Sequence, residues 1–179
     1  WYNLALKDLP ILKKNEAKED YRTLVYTEPL SAKVAVMVNL SHEDPQMRAI
    51  FQDVRFRRAL SLAINRETIK EDYYFGYGEC AQVTVPPFSK YYKEEYANSY
   101  AEYNPEKAKE LLDEMGMIDR NGDGYREMPQ GITMETMKGK KVNLDGGRFE
   151  PEWMDHPAWP MPVIEMIRDD FRKIGINIR

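Results

Sequence analysis

The sequence predicts a mixed α/β (α+β) lobe, on three observations. One run of alternating apolar residues marks a strand, four longer stretches repeat their apolar residues at helical spacing, and asparagine and glycine stand where those helices begin and stop. Strands interleaved with helices give this class of fold. At 179 residues the chain fits a single domain, residues 1–179, with enough length to bury a core.

The first 32 residues form a segment leading into the lobe and include a short strand pattern at Arg22 to Thr27, "RTLVYT". From Lys33 to Leu40, Val34, Val36, Val38 and Leu40 share one strand face while Ala35 and Met37 share the other. Apolar residues on both faces predict a strand covered on both sides. From Asp53 the period changes, and Phe56, Leu60, Ala63 and Ile64 line one face of an amphipathic helix. Asn65 ends that helix and caps the next, which carries Ile69 and Tyr73 and stops at Gly76. A looser stretch, rich in proline and aromatics, runs from Thr84 to Tyr103.

The helix after Asn104 has all its signals in place. Asn104 caps, Pro105 fits the first helical position, Ala108, Leu111, Leu112 and Met115 form the stripe, and Gly116 supplies the stop. Residues 145–162, within a second loose stretch, read as a long surface loop. A last helix begins near Pro162, lines up Ile164, Ile167, Phe171 and Ile174, and ends at Gly175, after which "INIR" resumes a strand pattern.

Composition excludes several functions. A net charge of -4 without a basic run argues against nucleic acid, whose phosphates demand clustered cations. Cys80 is the single cysteine, so no intrachain disulfide or thiolate metal cluster forms, and it reads as a buried, inert thiol. No apolar run approaches the ~20 residues that span a bilayer, and the opening "WYNLALKDLP" lacks signal-peptide grammar. His42 and His156 lie in no zinc-binding pattern, and no nucleophile elbow, phosphate loop or dinucleotide fingerprint occurs. Nothing compels an enzyme, and no cofactor is implied.

The stretch "DRNGDGYRE" from Asp119 to Glu127 places Asp119, Asn121 and Asp123 at alternate positions, with Gly124 next and Glu127 at the ninth position. This matches the first nine positions of a calcium loop, but the twelfth, where a bidentate glutamate belongs, is Gln130. The same residues favour tight turns, because Asp and Asn side chains bond their own backbone and glycine reaches positive φ. A turn is the expected reading, and a calcium-binding interaction module using Asp119, Asn121, Asp123 and Glu127 is the alternative.

The run "DVRFRRALSLAINRETIKEDYYFGYGECAQVTVPP", followed by "YNPEKAKELLDEMGMIDRNGDGYREMPQG" and "MIRDDFRKIGINIR", resembles the extracytoplasmic solute-binding proteins of peptide-type ABC transporters. The resemblance is collinear from Val34 to Arg179. It implies one lobe of a type II periplasmic-binding-protein-like fold, part of the second of two lobes that close on a solute. It further implies a peptide as solute, the first lobe and ABC permease subunits as partners, no catalysis, and a location outside the cytoplasmic membrane, in the periplasm or as a surface lipoprotein. Family members take peptides, nickel chelates, haem, opines or sugars. By the same analogy the loop from Tyr77 to Phe88 borders the cleft, offering Tyr77, Val85, Pro86 and Phe88, and Asn39 reaches solute from the end of the long strand.

Overall fold

The computed structural model describes residue 4 and residues 6–26, 34–154 and 160–179. Helices dominate: α1 (Leu9–Asn15), α2 (Pro45–Gln52), α3 (Val54–Ala63), α4 (Arg66–Tyr74), α5 (Glu94–Asn98), α6 (Pro105–Glu114) and α7 (Met161–Lys173). Between α6 and α7 an antiparallel hairpin joins β1 (Gln130–Glu135) and β2 (Lys141–Asp145).

Helix α3 is the centre of the core. Phe56, Ala59, Leu62 and Ala63 are essentially sealed from water, and α3 packs most extensively on α6, whose Ala108 and Leu112 are equally buried. Alanines on both helices let the two backbones approach closely. Helix α7 completes the group with Ile164, Ile167 and Phe171.

The predicted caps are present. Asn65 Oδ1 accepts from the Thr68 amide at 3.1 Å, and Asn104 Oδ1 accepts from the Lys107 amide at 3.0 Å with Pro105 at the first helical position. Phe75 takes the left-handed conformation, φ 53°, just ahead of Gly76. At Gly116, φ is 77° and an added Cβ would sit 2.6 Å from Ile132 Cδ1, so the stop of α6 also makes room for the hairpin.

Helix α2 was absent from the sequence expectations, because its apolar stripe of Met47, Ile50 and Phe51 runs straight into the Asp53 boundary. Asp44 caps it, its Oδ1 accepting from Gln46 N at 2.7 Å. Asp53 then serves both helices: its amide donates to Ala49 and Ile50 carbonyls of α2, and its carboxylate accepts the Arg55 amide at 2.8 Å to start α3. Burial pushes the Asp53 carboxyl up, but hydrogen bonds from Arg55 outweigh it and hold the group below its ordinary range.

The hairpin was also unexpected. Its inner residues, Met134, Val142 and Leu144, are buried against α2, but Gly131 sits at a register shift that breaks the alternation. Glutamines of α2 hold both its ends: Gln46 Oε1 accepts from Asp145 N at 3.2 Å and Gln52 Oε1 from Met137 N at 2.8 Å.

Two strand expectations are corrected. Val34 to Leu40 forms no named strand and has no neighbouring strand among the described residues; Lys33 lies outside them. Arg22 to Tyr26 likewise forms no named strand, with Thr27 outside the described residues. Ile176 to Arg179 forms no named strand, yet Arg179 exchanges two backbone bonds with residues 151–153: its carbonyl accepts from Trp153 N at 2.8 Å and its amide donates to Pro151 O at 3.1 Å. Within residues 145–162, Phe149 and Pro151 are buried rather than on the surface, and His156 lies outside the described residues.

Two polar residues pin the elements together. Asp170 on α7 is 4% exposed, and its Oδ2 accepts the Asn65 amide at 2.8 Å while Oδ1 accepts from Lys173 Nζ at 2.8 Å. Arg126 donates from its guanidinium to the Met117 and Ile174 carbonyls and to the Asp113 carboxylate, and from its amide to Gly175 O at 2.7 Å. It thereby joins the C-terminal ends of α6 and α7.

Asp170→Ala strands the Asn65 amide and should lower the unfolding free energy by about 2–3 kcal/mol in urea titrations, against under ~0.5 kcal/mol for the exposed Asp169→Ala. Arg126→Lys keeps the charge but loses the planar fork, and it should cost about 1.5–3 kcal/mol in the same measurement.

Candidate functional site

A cleft with a volume of about 610 Å³ lies between the segment Val34 to Leu40 and the junction of α3 and α4. Leu60, Ile64 and Ile69 form one apolar wall, and Val163 and Ile167 of α7 extend it. Residues 77–83, the start of the loop after α4, make the rim.

A polar cluster fixes that rim. Ser61 Oγ donates to Tyr100 O at 2.7 Å and accepts from Gln82 Nε2 at 2.6 Å and Arg66 Nη2 at 2.9 Å. Gln82 also donates to Ser99 O at 2.9 Å, and its amide donates to Ala97 O at 2.8 Å. Arg66 Nη1 donates to Ser61 O at 2.8 Å and Ala101 O at 3.2 Å, and burial lowers its pKa. Each of the three side chains bonds to protein atoms. Burial, then a hydrogen bond with Glu67, pushes the Cys80 thiol up, which keeps it protonated and a poor nucleophile at neutral pH.

Of the five solute-contact residues expected from the sequence, Tyr77 lines this cleft. Asn39 instead closes a turn, its Oδ1 accepting from Ser41 N at 3.0 Å and its carbonyl from His42 N at 3.2 Å. Val85, Pro86 and Phe88 lie further along the same loop, outside the cleft lining, with Phe88 77% exposed. Sequence reasoning missed Ser61, Arg66 and Gln82, whose convergence depends on how the loop folds back over α3.

In the loop from Asp119 to Glu127 the oxygens serve the backbone. Asp119 accepts from Gly122 N at 2.7 Å and Gly124 N at 2.8 Å, Asn121 from Asp123 N at 2.9 Å, and Asp123 from Tyr125 N at 2.8 Å. Glu127 pairs with Arg120 at 3.2 Å. Among the described residues no group of three or more His, Cys, Asp or Glu side chains is arranged to hold a metal ion. His42 caps as well, its Nδ1 accepting from Asp44 N at 3.1 Å, with its ring edge-on to Phe51.

Helices pack around one apolar core, with a hairpin beside them and a rim loop over an open cleft. The model of the bacterial extracellular solute-binding proteins, family 5 (middle part), matches residues 1–179, and the chain belongs to that family. It is 30% identical over 133 residues to the oligopeptide-binding protein AppA of Bacillus subtilis, covering 73% of this chain and 21% of that protein. Against the dipeptide-binding protein of Escherichia coli it is 40% identical over 138 residues, 71% of this chain and 19% of the other. The solved oligopeptide-binding protein OppA superposes with a TM-score of 0.74 at 30% identity, over 98% of this chain and 25% of that one. The chain thus spans about a fifth of the length of the curated relatives it matches. The mixed helix and strand architecture agrees with one lobe of a type II periplasmic-binding-protein-like fold.

Because its carboxylates already hold amides, the 119–127 loop should not respond to calcium. Millimolar calcium should leave the melting temperature within about 1 °C of that in chelator, whereas an ion at 100 times its dissociation constant adds about 2.7 kcal/mol and would raise it by several degrees.

Proposed function

We propose that the chain is a section of the second, C-terminal lobe of a two-lobe solute-binding protein that captures peptides outside the cytoplasmic membrane and delivers them to the permease of an ABC importer. The observation that carries this reading is the family match over all 179 residues, joined to a superposition on an oligopeptide-binding protein that covers 98% of the chain. No described helix is long and apolar enough to cross a membrane.

In this reading the mechanism is hinge closure without catalysis. A solute that touches both lobes binds the closed form more tightly, and its differential affinity sets how far the open-closed equilibrium moves. The first lobe of the same protein supplies the opposite wall. This lobe offers the loop after α4, where Tyr77, Val85, Pro86 and Phe88 present aromatic and apolar surface held in place by the Ser61, Arg66 and Gln82 cluster. Asn39, spent on its own turn, contributes by shaping the lead into α2. A net charge of -4 without a basic run argues against a nucleic-acid partner.

Calorimetry on the longer polypeptide that contains this chain, against peptide, oligosaccharide and metal-chelate collections, tests the reading. Micromolar or tighter binding of peptides is expected, with Tyr77→Ala and Phe88→Ala weakening it by about tenfold each, or ~1.4 kcal/mol. No ligand in any class overturns the reading, and binding of sugars or chelates alone replaces the solute.

A further inference from the structure

We propose that Asn121-Gly122 is a deamidation site that the carboxylate of Asp119 keeps closed in the folded chain. The inference goes beyond solute binding and does not depend on the solute's identity.

The sequence supplies the reactive pair. Asn121 is the one asparagine followed by glycine, and both residues are exposed. Glycine has no side chain to shield its nitrogen, and an added Cβ at Gly122 would meet nothing within 4 Å, so solvent reaches the site freely. The reaction needs only water and hydroxide. The Gly122 amide gives its proton to hydroxide, its nitrogen bonds to Cγ of Asn121, and the carboxamide nitrogen takes a proton from water and leaves as ammonia. Water then opens the cyclic imide at either of its carbonyls, giving aspartate or isoaspartate at position 121.

The turn opposes the first step. Gly122 N donates to Asp119 Oδ1 at 2.7 Å, so removing its proton loses a charge-assisted hydrogen bond and sets a new negative charge beside a carboxylate. Asp119 Oδ2 accepts from Gly124 N at 2.8 Å, which fixes that carboxylate over the turn. Asp123 holds the carboxamide at both atoms: Asn121 Oδ1 accepts from Asp123 N at 2.9 Å, and Nδ2 donates to Asp123 Oδ2 at 3.2 Å. Neither the nitrogen nor its target is free to move.

The consequence of reaction falls on Arg126. Isoaspartate adds a backbone methylene at position 121, between Asp119, which organises the turn, and Arg126, whose guanidinium bonds to the Met117 and Ile174 carbonyls. The altered turn no longer delivers that guanidinium to the ends of α6 and α7.

Base-catalysed hydrogen exchange passes through the same deprotonated nitrogen as deamidation, so two rates test the proposal. In the longer polypeptide that contains this chain, held at mildly alkaline pH, peptide mapping by mass spectrometry follows Asn121. It should deamidate at least ~100-fold more slowly than in a synthetic peptide of residues 117–128. Asp119→Asn keeps an oxygen acceptor but removes the charge, and it should speed both deamidation and exchange of the Gly122 amide by about tenfold or more. Asp169→Ala, on the exposed side of α7, should change neither rate. The Tyr125 amide, bonded to Asp123 at 2.8 Å, reports whether the turn survives the substitution and should stay protected. Deamidation of the native protein at the peptide's rate overturns the proposal, as does slow deamidation untouched by Asp119→Asn. A Tyr125 amide that opens together with Gly122 assigns the protection to the turn as a whole, which overturns the role of Asp119.

Discussion

The bond from the Asn65 amide to the Asp170 carboxylate sits where three helices meet, 105 residues apart in the chain. Asn65 is the hinge residue between α3 and α4, and its own side chain is occupied in capping α4. Its amide would otherwise face an apolar junction without a partner, a loss worth about 1–3 kcal/mol. Asp170 supplies that partner and is itself neutralised by Lys173, whose ammonium the carboxylate holds above its ordinary pKa. The bend between α3 and α4 is thus fixed from α7. That bend aims α4, and with it the loop that begins at Tyr77, over the cleft.

Arg126 does the corresponding work at the other end of the same helices. The turn from Asp119 to Tyr125 uses its acidic oxygens to fold its own backbone, and the product of that folding is the placement of one guanidinium between the ends of α6 and α7. Gly175 ends α7 with φ 80°, and an added Cβ there would lie 3.0 Å from Arg126 Cγ, so the stop is also the seat of the arginine. A motif that looks like an ion site is here a bracket.

How much of this the sequence disclosed follows from the range of each interaction. Helices α3, α4, α6 and α7 were legible because stripe and cap lie within one segment: Asn104, Pro105, Leu111, Leu112 and Gly116 suffice for α6. Helix α2 has a stripe of only Met47, Ile50 and Phe51, and Asp53 was read as a start although it is also an end. The hairpin hid behind Gly131, which interrupts the period of two, and behind an outer face that carries Ile132 as well as polar residues. At the site, Tyr77 was reached through family resemblance rather than from the residues themselves. Ser61 and Gln82 escaped notice because a serine on a helix and a glutamine in a loop have no local mark; only the fold brings them within 2.6 Å.

The segment Val34 to Leu40 marks the boundary of what a local pattern specifies. Apolar residues on both faces predict a strand covered on both sides; Val34, Val36 and Val38 do pack on the core, but Met37 on the opposite face is 86% exposed. The pattern says nothing about which strand lies alongside, because backbone pairing depends on a second segment that the pattern does not contain.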